Sequence, residues 1–137
     1  MILKKLRQKV RDYCENSYPK ELEVYSNNSI APAYNNSCHY NADACVRQGH
    51  AVAIVECVMI HDGRACLHYI SLDSGLKCFD STLGPLYSGA DYRMIEVLRD
   101  FPNSDPGERL NSKKREICLK AGVPKWLLSV YSTDDLL

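Results

Sequence analysis

ACLHYISLDSGLKCFDSTLG, residues 65–84, decides how this chain is read. Ala65 to Leu72 reads as a strand, Asp73-Ser74-Gly75 as a three-residue turn with Gly75 at the left-handed position, and Leu76 to Asp80 as the returning strand. This register sets Leu72 opposite Leu76 and therefore His68 opposite Asp80. Directly opposed residues carry Cβ atoms only ~5 Å apart, so an imidazole and a carboxylate can hydrogen-bond there. A base oriented by a carboxylate is half of a nucleophilic triad.

The other half lies upstream in Asn35-Asn36-Ser37-Cys38-His39-Tyr40-Asn41-Ala42. Asn36 and Ser37 are good helix caps, and HYNADACVRQ after them reads as a helix of about residues 38–48, ended by Gly49. Cys38 is therefore expected at a helix N-terminus, where unpaired N–H groups and the positive end of the dipole favour a thiolate. The same N–H groups can hold an oxyanion; Asn41, one helical turn on, is a candidate brace or oxyanion donor, and Asn36, with its neighbours Asn35 and Ser37, a candidate second donor. A capping role suits Asn41 equally well. His39 is set aside as a base, because adjacent helical residues point about 100° apart. A structural His–Asp pair is the competing reading of His68 and Asp80, since a buried Asp needs a partner. Cys57, Cys66 and Cys78 alternate within apolar strands, and Cys14 and Cys118 sit in amphipathic helices, so these five read as packing residues.

The order of Cys38 at a helix start, then His68 and Asp80 on following strands, resembles the transglutaminase-like branch of the papain-like cysteine enzymes. Cys38-His39-Tyr40-Asn41-Ala42, Leu67-His68-Tyr69 and Phe79-Asp80-Ser81-Thr82-Leu83-Gly84 look like the motifs of small phage and bacterial proteins of that kind. The likeness spans roughly residues 34–90. The chain departs from it at His68-Tyr69-Ile70, where the family usually has His-Ala-Trp, and at Asp80-Ser81-Thr82, often Asp-Pro-Thr. The resemblance implies an α+β papain-like fold, a nucleophile helix packed on a small antiparallel sheet. It implies thiol-dependent acyl transfer, here hydrolysis of an amide by a peptidase or deamidase, with a protein or peptide as the substrate. The alternative is a catalytically inactive binding module of the same fold, such as a phage accessory protein that blocks a host factor.

Composition narrows the field. The 137 residues suit one domain, with about 112–137 as a C-terminal helical extension. Seventeen basic residues balance seventeen acidic ones, which argues against nucleic-acid or membrane-surface binding. No apolar run reaches membrane-spanning length. MILKKLRQKVRDYC lacks the features of a secretory signal and reads as an amphipathic helix of about residues 2–16, with Leu3, Leu6, Val10 and Tyr13 at helical spacing. Seven cysteines, an odd number without an export signal, point to reduced thiols and a cytoplasmic setting, the host's if the protein is viral. No Cys-x-x-Cys occurs and cysteine spacings are long, so neither a metal nor a cofactor is expected.

The remaining segments follow from pattern. His50–Ile60 is expected as a buried strand, joined through the Asp62-Gly63 turn to the strand carrying His68 in a three-stranded meander. DYRMIEVLRD, residues 91–100, is expected to be helical. Residues 101–112 read as a loop, 112–122 as a helix, and Pro124 as the start of a last short helix.

Overall fold

The computed structural model describes residues 1–87, 89–101 and 105–137. In chain order the elements are α1 (Ile2–Ser17), β1 (Glu21–Leu22), β2 (Val24–Tyr25), α2 (Cys38–Arg47), β3 (Ala53–His61), β4 (Arg64–Leu72), β5 (Cys78–Phe79), β6 (Asp91–Leu98), α3 (Pro106–Lys120) and α4 (Thr133–Leu136), with 3₁₀ turns at Gly84–Tyr87 and Lys125–Ser129. The fold is mixed α+β. Its sheet runs β1-β6-β3-β4-β5-β2. β1 and β2 are neighbours in sequence yet pair at opposite ends of that order, so residues 21–25 bring the two edges together and the sheet is nearly closed.

The β3–β4 hairpin is the scaffold. Asp62 and Gly63 take positive φ of 51° and 72°, the two-residue turn whose twist matches the strands, and His61 sits opposite Arg64. Pairing runs unbroken to Ala53 opposite Leu72, which places Cys57 across from His68 and Glu56 across from Tyr69. One sheet face carries Ile54, Val58, Ala65, Leu67 and Tyr69. These pack against Leu6, Val10 and Cys14 of α1, Ala42 of α2, and Ile117 and Cys118 of α3. Fully burying each such Val or Ile contributes roughly 1.5–3 kcal/mol. The other face, inside the curled sheet, carries Val55, Cys57, Met59, Ile70, Cys78 and Tyr92.

Several segments differ from the sequence expectation, each for a local reason. Residues 91–98 are strand, not helix, and pair along β3. Their register shifts between Glu56 and Cys57, so Glu56 faces Glu96 while Cys57 faces Met94, leaving Ile95 as the extra residue of a bulge. The bulge switches which residues face which side, and positions 92, 95 and 98 then imitate a helical period. The hairpin after β4 also differs. Leu72 lies opposite Cys78 rather than Leu76, and the left-handed residue is Leu76, with φ 61°, not Gly75. Asp73 builds this longer turn, its Oδ1 accepting from the N–H groups of Gly75 (2.8 Å) and Lys77 (2.9 Å). The returning strand is accordingly just Cys78–Phe79.

The C-terminal helix starts six residues early, at Pro106. Asp105 caps it by accepting from the Gly107 N–H at 3.0 Å, and proline occupies the first turn. The loop expected at 101–112 therefore ends at Asp105, and its residues 102–104 lie outside the described residues. The turn after Pro124 is 3₁₀, followed by a capping box at Ser132 and Asp135 that opens α4. Among the described residues no helix is long and apolar enough to cross a membrane.

Candidate active site

Asp80 follows β5 directly, and its carboxylate is fully used. Oδ1 accepts from the N–H groups of Thr82 (2.9 Å) and Leu83 (3.0 Å); Oδ2 accepts from His68 Nε2 (2.7 Å) and from the Tyr92 hydroxyl (2.9 Å). Burial works against its ionised form, but the His68 hydrogen bond and charge and the two backbone donors outweigh it, and the carboxyl is held below its ordinary pKa. Tyr92 reaches this carboxylate because of the Ile95 bulge. Without that extra residue Tyr92 would fall opposite Ile60, on the helix-covered face. The hairpin register differs from expectation by two residues, an even number, so His68 and Asp80 still share a face.

His68 gives Nε2 to Asp80, which leaves Nδ1 as the nitrogen that can serve a nucleophile. Cys38 is that neighbour. It is the first residue of α2, 9% exposed, and lines one cleft together with His68. β5 is so short that no residue of it stands opposite Tyr69, whose N–H is one of the groups that favour a Cys38 thiolate. Burial is the largest influence on Cys38 and disfavours its thiolate. The neighbouring His39 and His68 rings, the His68 charge and the Tyr69 N–H together prevail, and the thiol is brought down to about 6. Burial likewise opposes the charged form of His68. Its hydrogen bond to Asp80, the neighbouring Cys38 sulfur and their negative charges push it up to about 10. Both shifts run in the direction that favours thiolate and imidazolium over the neutral pair. Cys14, Cys57, Cys78 and Cys118 all move the other way, chiefly because burial disfavours their thiolates. All seven cysteines are free thiols.

The loop before Cys38 is organised by Asn35, not by a cap from Ser37. Ser37 stands at the cap position but its side chain makes no capping bond; Asn35 Oδ1 accepts from the Ser37 N–H (2.9 Å) and from Asn41 Nδ2 (2.8 Å). Asn41 Nδ2 also donates to Thr82 Oγ1 at 2.8 Å. Both amide hydrogens of Asn41 are therefore engaged, and it braces α2 to the Asp80 loop. Backbone bonds from Ala33 to Ser81 and from Tyr34 to Thr82 extend this tie. Gly84 completes it: at φ +53°, a Cβ there would collide with the Pro32 ring. Asn36 lines the cleft, beside first-turn N–H groups that α2 itself cannot satisfy.

Three features escaped sequence reasoning. His39 is 7% exposed and does not line the cleft, yet it acts on the Cys38 sulfur, and its Nδ1 is buried without a hydrogen-bond partner. Tyr92 holds Asp80. Leu110 and Lys114 of α3 form one wall of the cleft, whose volume is about 230 Å³. Among the described residues no group of three or more His, Cys, Asp or Glu side chains is placed to hold a metal ion. Comparison with protein-family models, curated proteins and solved structures finds no match to this chain.

Proposed function

We propose that this protein is a thiol-dependent acyl-transfer enzyme on a papain-like, transglutaminase-like fold, hydrolysing an amide of a protein or peptide through Cys38, His68 and Asp80. The observation that carries this reading is the Asp80–His68 hydrogen bond of 2.7 Å set beside a thiol with a lowered pKa at a helix N-terminus. The Cys38 thiolate attacks the carbonyl carbon, and the carbonyl electron pair moves to oxygen. The Cys38 N–H, with Asn36, is the donor pair for that oxyanion. As the C–N bond breaks, the His68 imidazolium gives its proton to the departing amine, leaving a thioester. Water then attacks with His68 taking its proton, the C–S bond breaks, and thiolate and imidazolium are restored. Asp80 keeps the imidazole oriented throughout and stabilises its charged form whenever it carries the second proton.

The test is pH-dependent iodoacetamide labelling with site assignment by mass spectrometry, on wild type and His68→Ala. Fast labelling of Cys38 alone at pH 6, lost in His68→Ala, is the expected result. Labelling as slow as that of the other cysteines supports the second reading, a binding module of the same fold with a structural His–Asp pair. The low exposure of Cys38 favours that alternative.

A further inference from the structure

The cleft has a lopsided chemistry. Met59, Leu67, Leu83 and Leu110 give it apolar walls, Asn35, Asn36 and Thr82 give it neutral polar ones, and among the described residues none that lines it is acidic. Its one permanent charge is Lys114, whose side chain is 11% exposed and whose Nζ bonds Asp134 Oδ1 at 2.7 Å. Asp134 belongs to α4, is 71% exposed, and does not line the cleft. Asp80, the nearest buried carboxylate, already accepts four hydrogen bonds.

We infer that α3 sets the substrate choice of this site: with Leu110 and Lys114 it admits an amide whose acyl residue bears an uncharged apolar side chain and rejects one bearing a cation. The inference rests on the acyl-transfer reading. At about 230 Å³ the cleft is smaller than the roughly 300–1,000 Å³ of pockets that enclose a whole drug-sized ligand, so it seats a side chain, not an extended molecule. An aliphatic side chain there displaces water from four apolar residues. A lysyl or arginyl side chain would be stripped of water beside Lys114 with no free carboxylate to pair with. Recognition thus comes from a helix outside the segment that carries the Cys, His and Asp, so the reacting groups and the selecting groups are separable.

Peptidyl vinyl sulfones with leucyl, glutamyl or lysyl side chains next to the electrophile test this, each rate divided by that of iodoacetamide on the same protein. The thiolate adds to the vinyl carbon and the resulting carbanion takes the His68 proton, so no other reactant is needed. In wild type the leucyl reagent is expected to react at least about tenfold faster than the lysyl one, the scale of discrimination by an apolar pocket. Lys114→Glu is expected to narrow or reverse that ratio, and Leu110→Ala to cut the leucyl rate about tenfold relative to iodoacetamide. If Lys114→Glu does not fold by circular dichroism, Lys114→Met takes its place, with the lysyl penalty expected to shrink. Equal rates for the three reagents, with fast iodoacetamide labelling, would overturn the inference and leave the acyl-transfer reading standing. An unchanged ratio in the Lys114 variant would do the same. Slow iodoacetamide labelling would remove both.

Discussion

Two buried clusters sit on opposite faces of the same sheet, and they are built from nearly the same parts. Inside the curl, the Asp80 carboxylate takes a tyrosine hydroxyl (Tyr92, 2.9 Å) and a cationic ring (His68, 2.7 Å). On the helix side, the Glu56 carboxylate takes a tyrosine hydroxyl (Tyr69, 2.6 Å) and a cationic fork (Arg109 Nε and Nη2, 2.9 and 2.8 Å). Glu56 and Asp80 are both buried, and both carboxylates are satisfied. The clusters differ in the cation. A guanidinium never gives up its proton, so the Glu56 cluster can only hold α3 to the sheet. An imidazole can, and His68 has a thiol on its far side. Chemistry becomes available where a buried ion pair is completed by a group that titrates and is left one unshared nitrogen.

This contrast can be broken from either side. Arg109→Ala leaves Glu56 buried without its counter-ion and is expected to cost about 3–5 kcal/mol in urea unfolding, while the pH profile of Cys38 alkylation keeps its midpoint. His68→Ala should do the reverse. Returning the thiol from about 6 toward its ordinary value near 9 lowers the thiolate fraction, and so the alkylation rate at pH 6, by up to about 500-fold, the limit in which His68 carries the whole shift. On the proposed acyl-transfer reading, a hydrolytic rate should rise through about pH 6 as Cys38 ionises and fall through about 10 as His68 loses its proton. Stability follows the same signs. The raised His68 pKa contributes fully below its unfolded value of about 6.5 and is lost as pH climbs through the folded value, whereas the contribution of Asp80 is lost in acid. Tyr92→Phe and Tyr69→Phe each remove one hydrogen bond to a carboxylate, for about 1–2 kcal/mol. Only Tyr92→Phe should move the alkylation midpoint. His39→Phe is also expected to slow alkylation at pH 6, because the His39 ring comes first among the groups that lower the thiol. An unmoved midpoint there would show that His39 is only a packing residue.

The sequence made the inner cluster more legible than the outer one. Cys38 at a helix start and His68 on a strand are local statements, written in caps, turns and alternation. The pairing of His68 with Asp80 was expected from the wrong register and is found in another, because a two-residue shift preserves the face. A shift of one does not, and that is why β6 was misread: the bulge at Ile95 changes phase in mid-strand, so neither its strand character nor the placement of Tyr92 shows as alternation. The partner of Glu56 lies 53 residues away, and nothing local names Arg109. A signal did exist. Glu56 is the only carboxylate in an otherwise apolar strand, and a buried carboxylate demands a cation somewhere. Asp105-Pro106 likewise marks the start of α3, within a stretch whose prolines and glycine suggest a loop.

β5 holds on by two residue pairs on each side, Ser71–Phe79 and Leu72–Cys78 on one, Val24–Cys78 and Tyr25–Phe79 on the other. β3, by contrast, is zipped along its whole length to β4. The seam of the nearly closed sheet is therefore its weakest line against solvent exchange, and Asp80 is the first residue past it. Opening that seam frees the carboxylate, and with it the charge on His68, while the Glu56 cluster stays closed. On warming, amide protons around 78–83 should exchange well before those of β3, and Cys38 should lose its reactivity at temperatures where the helices remain intact.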